Sequence, residues 1–267
     1  MMHLKRWLTG IVAVPVLIYV IGFGPRWLFH TVLFFASVLG LTEFFKITSS
    51  RAPAPVRYGC FLLSFFLFFS TSRGEFFFIP AIASFWAVVP LSFFLFFYGI
   101  SRSDAMDLTA KAVFAPVYIC LPLCLLVIID RFPQGRLWIF FLLSVIFLSD
   151  TGAFYFGRTF GKHKLYASVS PGKTWEGAFG GLFCSLLAAF LFPHFLQSFS
   201  FTWTLIGLAG GLSIAGQIGD LAESMLKRRY EVKDSGSLLP GHGGLLDRID
   251  GLLFAIPIMY VYLAWSI

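Results

Sequence analysis

Residues 76–98 read FFFIPAIASFWAVVPLSFFLFFY, without one charged side chain. A helix needs about 20 mainly apolar residues to cross the hydrocarbon core of a bilayer. This stretch has that length, and membrane helices tolerate prolines such as Pro80 and Pro90, which here leave room for a kink or a different partition. Working outward by the same measure gives nine spans: residues 8–23, 27–45, 58–72, 76–98, 111–129, 137–156, 175–192, 201–218 and 251–267, the third of them short. Trp7, Trp27, Trp138, Trp175 and Trp203 fall near the ends of spans, where amphipathic rings prefer the membrane interface.

Composition agrees. Hydrophobic residues make up 58% of the 267 and charged residues only 12%, against about 25% charged in a soluble domain. A water-soluble fold could not hide that much apolar side chain. The expected fold is all-α: a polytopic integral membrane helical bundle of about nine transmembrane helices. It forms one membrane domain over 1–267, with apolar spans in 1–135 and a catalytic part in 136–267. Lys5 and Arg6 before 8–23 resemble the start of a signal peptide, but further spans follow directly and no small-residue cleavage site does, so 8–23 reads as a first membrane helix. Cys60, Cys120, Cys124 and Cys184 all lie in apolar runs; with neither metal spacing nor a secreted disulfide pattern, they read as packing residues.

The net charge of +7 serves topology and not nucleic acid, because Lys and Arg flank the spans unevenly. The N-terminus and the even-numbered loops hold 16 of the 20, and the odd-numbered loops hold only Arg26, Arg73, Arg131 and Arg136. Cytoplasmic loops carry the excess. The N-terminus is therefore expected inside and, with nine spans, the C-terminus outside.

Two polar segments on the expected cytoplasmic side stand apart, 149–177 and 220–250, with their loops expected at 157–174 and 219–250. Of 13 acidic residues, seven are Glu176 and those within 220–250. Asp220 and Glu223 are three apart, a spacing that shares a helix face, and Asp247 and Asp250 repeat it. Ionisable groups at membrane depth are expensive and are kept mainly for function. Two such pairs make an oxygen-rich site suited to a hard cation such as Mg²⁺. A plainer alternative is that each acid pairs with Lys227, Arg228 or Arg248 at a helix end.

Lys173, Lys227, Arg228, Lys233 and Arg248 are interleaved with these acids. A metal with Lys and Arg is the pattern for reacting phosphates, whose charge must be neutralised, whereas a lipid-binding patch would be basic without the acids. Gly236 and Pro240-Gly241-His242-Gly243-Gly244 give a loop that a ligand can approach closely. Ser170-Pro171-Gly172-Lys173-Thr174 ends like a P-loop but lacks the upstream glycine, Ala167 standing there, so a Walker site is rejected.

Ser224-Met225-Leu226-Lys227-Arg228, then Lys233-Asp234-Ser235-Gly236, Leu239-Pro240-Gly241-His242-Gly243-Gly244, Leu246-Asp247-Arg248 and Asp250 resemble the signature of the phosphatidate cytidylyltransferases, the CDP-diacylglycerol synthases. Ser149-Asp150-Thr151-Gly152-Ala153 and Ser170–Thr174 with Trp175-Glu176-Gly177 are similar to that family's other shared stretches, though Gly172 stands where many members carry Lys. The likeness is strong over 149–251; the first half matches only as a string of spans. It implies transfer of CMP from CTP to phosphatidate, giving CDP-diacylglycerol and pyrophosphate, a step of phospholipid biosynthesis. It also implies Mg²⁺, with a second cation open, held by Asp220 and Asp247. Glu223 and Asp250 are then further ligands or orienting groups. Asp220, Asp247, Lys227 and Arg248 are the expected catalytic residues. Ser170, Lys173, Thr174, Arg228, Lys233, His242, Gly243 and Gly244 are the expected substrate contacts, with Asp150 as an ion-pair partner or wall. A homodimer in the bacterial inner membrane is implied, its site facing the cytoplasm and open sideways to the leaflet.

Two rivals are weighed against this. A CTP-dependent lipid kinase would release CDP instead of pyrophosphate. A transporter would place its acids near the bilayer midplane in two repeated halves; here they gather in the C-terminal half alone.

Overall fold

The structure, a computed structural model, describes residues 14–48, 52–97, 102–195, 202–236 and 243–266. A short apolar helix α1 (Val14–Phe23) is followed by α2 (Arg26–Thr48), α3 (Ala54–Arg73), α4 (Ile79–Phe97), α5 (Arg102–Ile129) and α6 (Gly135–Phe160). A hairpin of β1 (Lys164–Tyr166) and β2 (Ser170–Thr174) leads to α7 (Trp175–Phe195), α8 (Trp203–Arg229) and α9 (Leu246–Ser266). Among the described residues eight helices, α2 to α9, are long and apolar enough to cross a membrane. The protein is a polytopic all-α membrane protein. Residues 8–13 of the expected 8–23 span lie outside the described residues, and α1 is its remainder.

The chain folds as two compact units. The first comprises Met1–Arg131 and Asp234–Leu246. Its centre is α5, which packs on α2, α3 and α4. Ala112, Ala115, Ile119, Leu123 and Val127 recur at three- and four-residue spacing and are sealed, the period of one helix face. Cys60, Cys120 and Cys124 are buried on the α3–α5 contact. There Cys124 Sγ donates to Thr71 Oγ1 at 3.1 Å, and Ser64 Oγ lies 3.2 Å from Cys120 Sγ. They are core packing residues, as their apolar context suggested.

The second unit comprises Phe132–Lys233 and Asp247–Ile267. Glycines let its helices cross at backbone distance. A Cβ on Gly152 of α6 would sit 2.7 Å from Gly180 O of α7, and one on Gly219 of α8 would sit 2.5 Å from Asp250 O of α9. Real Cβ atoms cannot approach so closely, so only glycine permits these crossings. The α8–α9 crossing places the acid pair of one helix against the acid pair of the other.

Two expectations are corrected. The polar stretch 219–250 is not all loop: α8 runs on to Arg229 and α9 starts at Leu246. Hydropathy falls at the first charges, but backbone hydrogen bonding continues past them, so charged ends become extra helical turns. Likewise 157–174 is partly helix and partly a two-stranded antiparallel hairpin, pairing Lys164 with Thr174 and Tyr166 with Ser170 across a bulge, a local exception to the all-α expectation.

Candidate active site

The acid residues at the end of α8 and the start of α9 form one patch in the second unit. Gln217, Asp220, Glu223 and Lys227 succeed one another at helical spacing on α8. Lys227 Nζ lies 2.9 Å from Glu223 Oε2 on its own helix and 2.6 Å from Asp247 Oδ1 on α9. Asp250, three residues on from Asp247, takes the Gly251 N–H on its Oδ1 at 2.7 Å. Its carboxyl group is also an electrostatic neighbour of Glu223. Asp220 is the electrostatic neighbour of both Asp250 and Asp150. Lys173 of β2 reaches across, its Nζ 2.6 Å from Asp220 Oδ2.

A cavity of about 570 Å³ opens beside Asp220, within the size range of small-molecule sites. Asp150, Arg158, Ser170, Lys173, Gln217 and Asp220 supply its polar wall, and Phe154, Leu165 and Thr174 also line it. Its mixture of apolar wall and convergent charge suits an amphiphile with an anionic head.

The hairpin carrying Ser170 and Lys173 is tied down at several points. The Glu176 carboxylate accepts from the His163 backbone N–H at 3.2 Å and lies 2.6 Å from His163 Nδ1. Trp175 N donates to His163 O at 2.9 Å, and Lys164 Nζ donates to Pro171 O at 2.8 Å. Thr174 Oγ1 accepts from Gly177 N at 3.1 Å, capping α7 in the manner of any N-cap hydroxyl. Arg228 Nε donates to Val169 O at 3.3 Å. Thr174 and Arg228, expected at the substrate, thus also hold the hairpin against α7 and α8.

Arg228, Lys233 and Arg248 are exposed and lie outside the cavity wall. Gly243 and Gly244 belong to the first unit, where Gly243 takes a positive φ of 79°. His242 lies outside the described residues. Arg158 and Gln217 also line the wall: Arg158 lies inside the polar segment 149–177 without an expected role, and Gln217 lies three residues before Asp220, the one signal that marks it.

The oxygen-only donor set suits a hard cation. Glu223 is 2% exposed, and its Oε1 has no hydrogen-bond partner, so a buried carboxylate oxygen is left for a positive charge to meet. Among the described residues no three His, Cys, Asp or Glu side chains are arranged to hold one metal ion. Lys227 pairs with Glu223 and Asp247, as the plainer alternative of pairing at a helix end expects, while Asp220 pairs instead with Lys173 of β2. The donor chemistry fits Mg²⁺, but only with substrate oxygens completing the shell, as Mg²⁺ at phosphate sites commonly requires.

Comparison with known proteins places the chain in a family. The phosphatidate cytidylyltransferase of Staphylococcus aureus strain COL is 46% identical over 133 residues, 50% of this chain and 51% of that one. Those of Staphylococcus epidermidis strain ATCC 12228 and Staphylococcus saprophyticus are 46% and 47% identical over 130 residues, 49% of this chain and 50% of each. The matched stretch thus spans about half the length of these relatives. The model of the cytidylyltransferase family matches residues 4–266, and this chain belongs to that family.

Proposed function

We propose that the protein is a phosphatidate cytidylyltransferase, transferring CMP from CTP to phosphatidate to give CDP-diacylglycerol and pyrophosphate. Its membership of the cytidylyltransferase family and its likeness to staphylococcal phosphatidate cytidylyltransferases support this. The observation that carries it is Lys173 Nζ poised 2.6 Å from Asp220 in the wall of a 570 Å³ cavity. There a phosphate can take the lysine while the carboxylate turns to a cation.

A phosphate oxygen of phosphatidate attacks the α-phosphorus of CTP. The new P–O bond forms as the bond to the α–β bridging oxygen breaks, and its electron pair leaves with pyrophosphate. The nucleophile is already an anion, so no strong base is required, and the protein's part is positioning and charge neutralisation. Lys173 and Ser170 meet the phosphates entering the cavity, while Lys227, Arg228, Lys233 and Arg248 supply further positive charge. Asp220 and Asp247 would hold Mg²⁺, helped by Glu223 and Asp250. When bound, the ion screens the triphosphate charge and steadies the leaving pyrophosphate.

The site faces the cytoplasm, by the Lys and Arg asymmetry, in a bacterial inner membrane, and the enzyme is a homodimer. Opening sideways to lipid keeps both acyl chains in hydrocarbon, since exposing them would cost about 0.8 kcal/mol per CH₂. The test incubates purified protein with labelled CTP, phosphatidate and Mg²⁺, beside Asp220→Asn and Asp247→Asn. A CDP-lipid with pyrophosphate from the wild type, lost in both variants, is expected. No CDP-lipid from the wild type, or full activity in both variants, overturns the reading.

A further inference from the structure

Glu43 is the one acidic residue within the expected span 27–45, and the site described above makes no use of it. It lies in α2, 5% exposed. A carboxylate so placed costs several kcal/mol unless it is fully satisfied, and three donors satisfy it. Leu245 N reaches Oε1 at 2.9 Å, Leu246 N reaches Oε2 at 2.9 Å, and Ser235 Oγ donates to Oε2 at 3.2 Å. All these residues belong to the first unit.

Leu246 is the first residue of α9. Its N–H is one of those a helix leaves without an internal partner, and an anion there is favoured by the helix dipole. Glu43 is thus an N-cap for α9 supplied from 203 positions away. The surrounding sequence is shaped to it. A Cβ on Gly236 would come within 2.6 Å of Glu43 Oε1, and one on Gly244 within 2.6 Å of Oε2, so these two glycines of the polar loop leave the room this carboxylate needs. The residue after Leu246 is Asp247, and Asp250 follows in the same turn.

We infer that Glu43 is a positioning residue for cytidylyl transfer: it fixes the start of α9, and so the direction in which Asp247 and Asp250 present their carboxylates. The inference rests on the proposed function. It assigns the N-terminal half of the chain a part in a reaction whose recognisable motifs lie in the other half.

The test measures Mg²⁺ half-saturation of CDP-lipid formation, and amide hydrogen exchange over 243–250 without substrate, for the wild type, Glu43→Ala and Glu43→Gln. Glu43→Ala is expected to speed exchange at Leu245 and Leu246 about tenfold. It should also raise the Mg²⁺ needed by about tenfold or more, the effect of losing a group that orients a metal-holding carboxylate. Glu43→Gln, which keeps the shape and one acceptor, is expected to recover part of both. Should Glu43→Ala not fold, Gly236→Ala pushes the carboxylate aside without removing it and is expected to move both readouts the same way. Unchanged exchange, or faster exchange with an unaltered Mg²⁺ requirement, overturns the inference while the activity stands. A wild type that makes no CDP-lipid overturns instead the reading beneath it.

Discussion

Glu43 and Glu223 are both nearly sealed, at 5% and 2% exposure, in helices able to cross a membrane, yet they are satisfied in opposite ways. Glu43 is gripped by two backbone N–H groups and a serine hydroxyl. Glu223 has one lysine, Lys227, a facing carboxyl from Asp250, and an oxygen without a partner. Backbone donors cannot leave without unwinding the chain. A lysine on four rotatable bonds can swing to a phosphate. A carboxylate held by backbone is thus built to stay, and one held by lysine is built to exchange its partner. The same distinction extends to Asp220 with Lys173 and to Asp247 with Lys227.

The largest expected effect breaks the exchangeable side. Asp247→Asn should lower CDP-lipid formation by about 10²–10³, the cost of removing one preorganised charge at a reacting phosphate. Lys227 keeps Glu223, so the protein should still fold, checked by gel filtration in detergent. Activity within threefold of the wild type would show that the lysine-held acids are as structural as Glu43.

Next comes the crossing that assembles the patch. Gly219→Ala would drive a Cβ to 2.5 Å from Asp250 O. Backbone on backbone cannot relax cheaply, so about 1–3 kcal/mol of stability should be lost, read by thermal denaturation in detergent. Activity should fall with it, because α8 and α9 must separate. A variant as stable and active as the wild type would mean the acid pairs need no close helix crossing.

The two regions were unequally legible in the sequence. Asp220, Glu223, Asp247 and Asp250 announce themselves, since i,i+3 acid pairs at the edge of an apolar span have few uses. Their lysine partners followed from the interleaved charge. Glu43 was invisible: one acid in an apolar run says that it has partners, not which, and these lie about 200 positions on. Helix ends were misjudged for a related reason. Hydropathy reports where lipid stops, while α8 continues to Arg229 because its backbone hydrogen bonds do. The hairpin was missed because Ser170-Pro171-Gly172-Lys173-Thr174 has no apolar alternation; contacts with α7 and α8 hold it as strand.

The hairpin falls between the two kinds of carboxylate, since Glu176 is held by both a backbone N–H and a side chain, those of His163. His163→Ala removes only the side chain. Surface pairs contribute little, so the overall fold should be untouched, but Lys173 rides on this hairpin. The expected result is a few-fold rise in the CTP concentration for half-maximal rate with the maximal rate kept. An unchanged value would mean the backbone contacts alone position Lys173.

The smallest effect is a control in the same hairpin. Gly172 has a negative φ and is exposed, and a Cβ there would meet nothing within 4 Å. Gly172→Ala should therefore leave stability within about 0.5 kcal/mol of the wild type, as surface substitutions away from special features do. The position makes the result informative, because Gly172 itself lines the cavity, as Ser170 and Lys173 do on either side of it. If the Gly172→Ala variant loses activity while its denaturation curve is unchanged, a ligand must pass close over this backbone. This stretch of the cavity wall would then join the exchangeable side of the comparison, as part of what phosphate touches, and would no longer count as support for Lys173 alone.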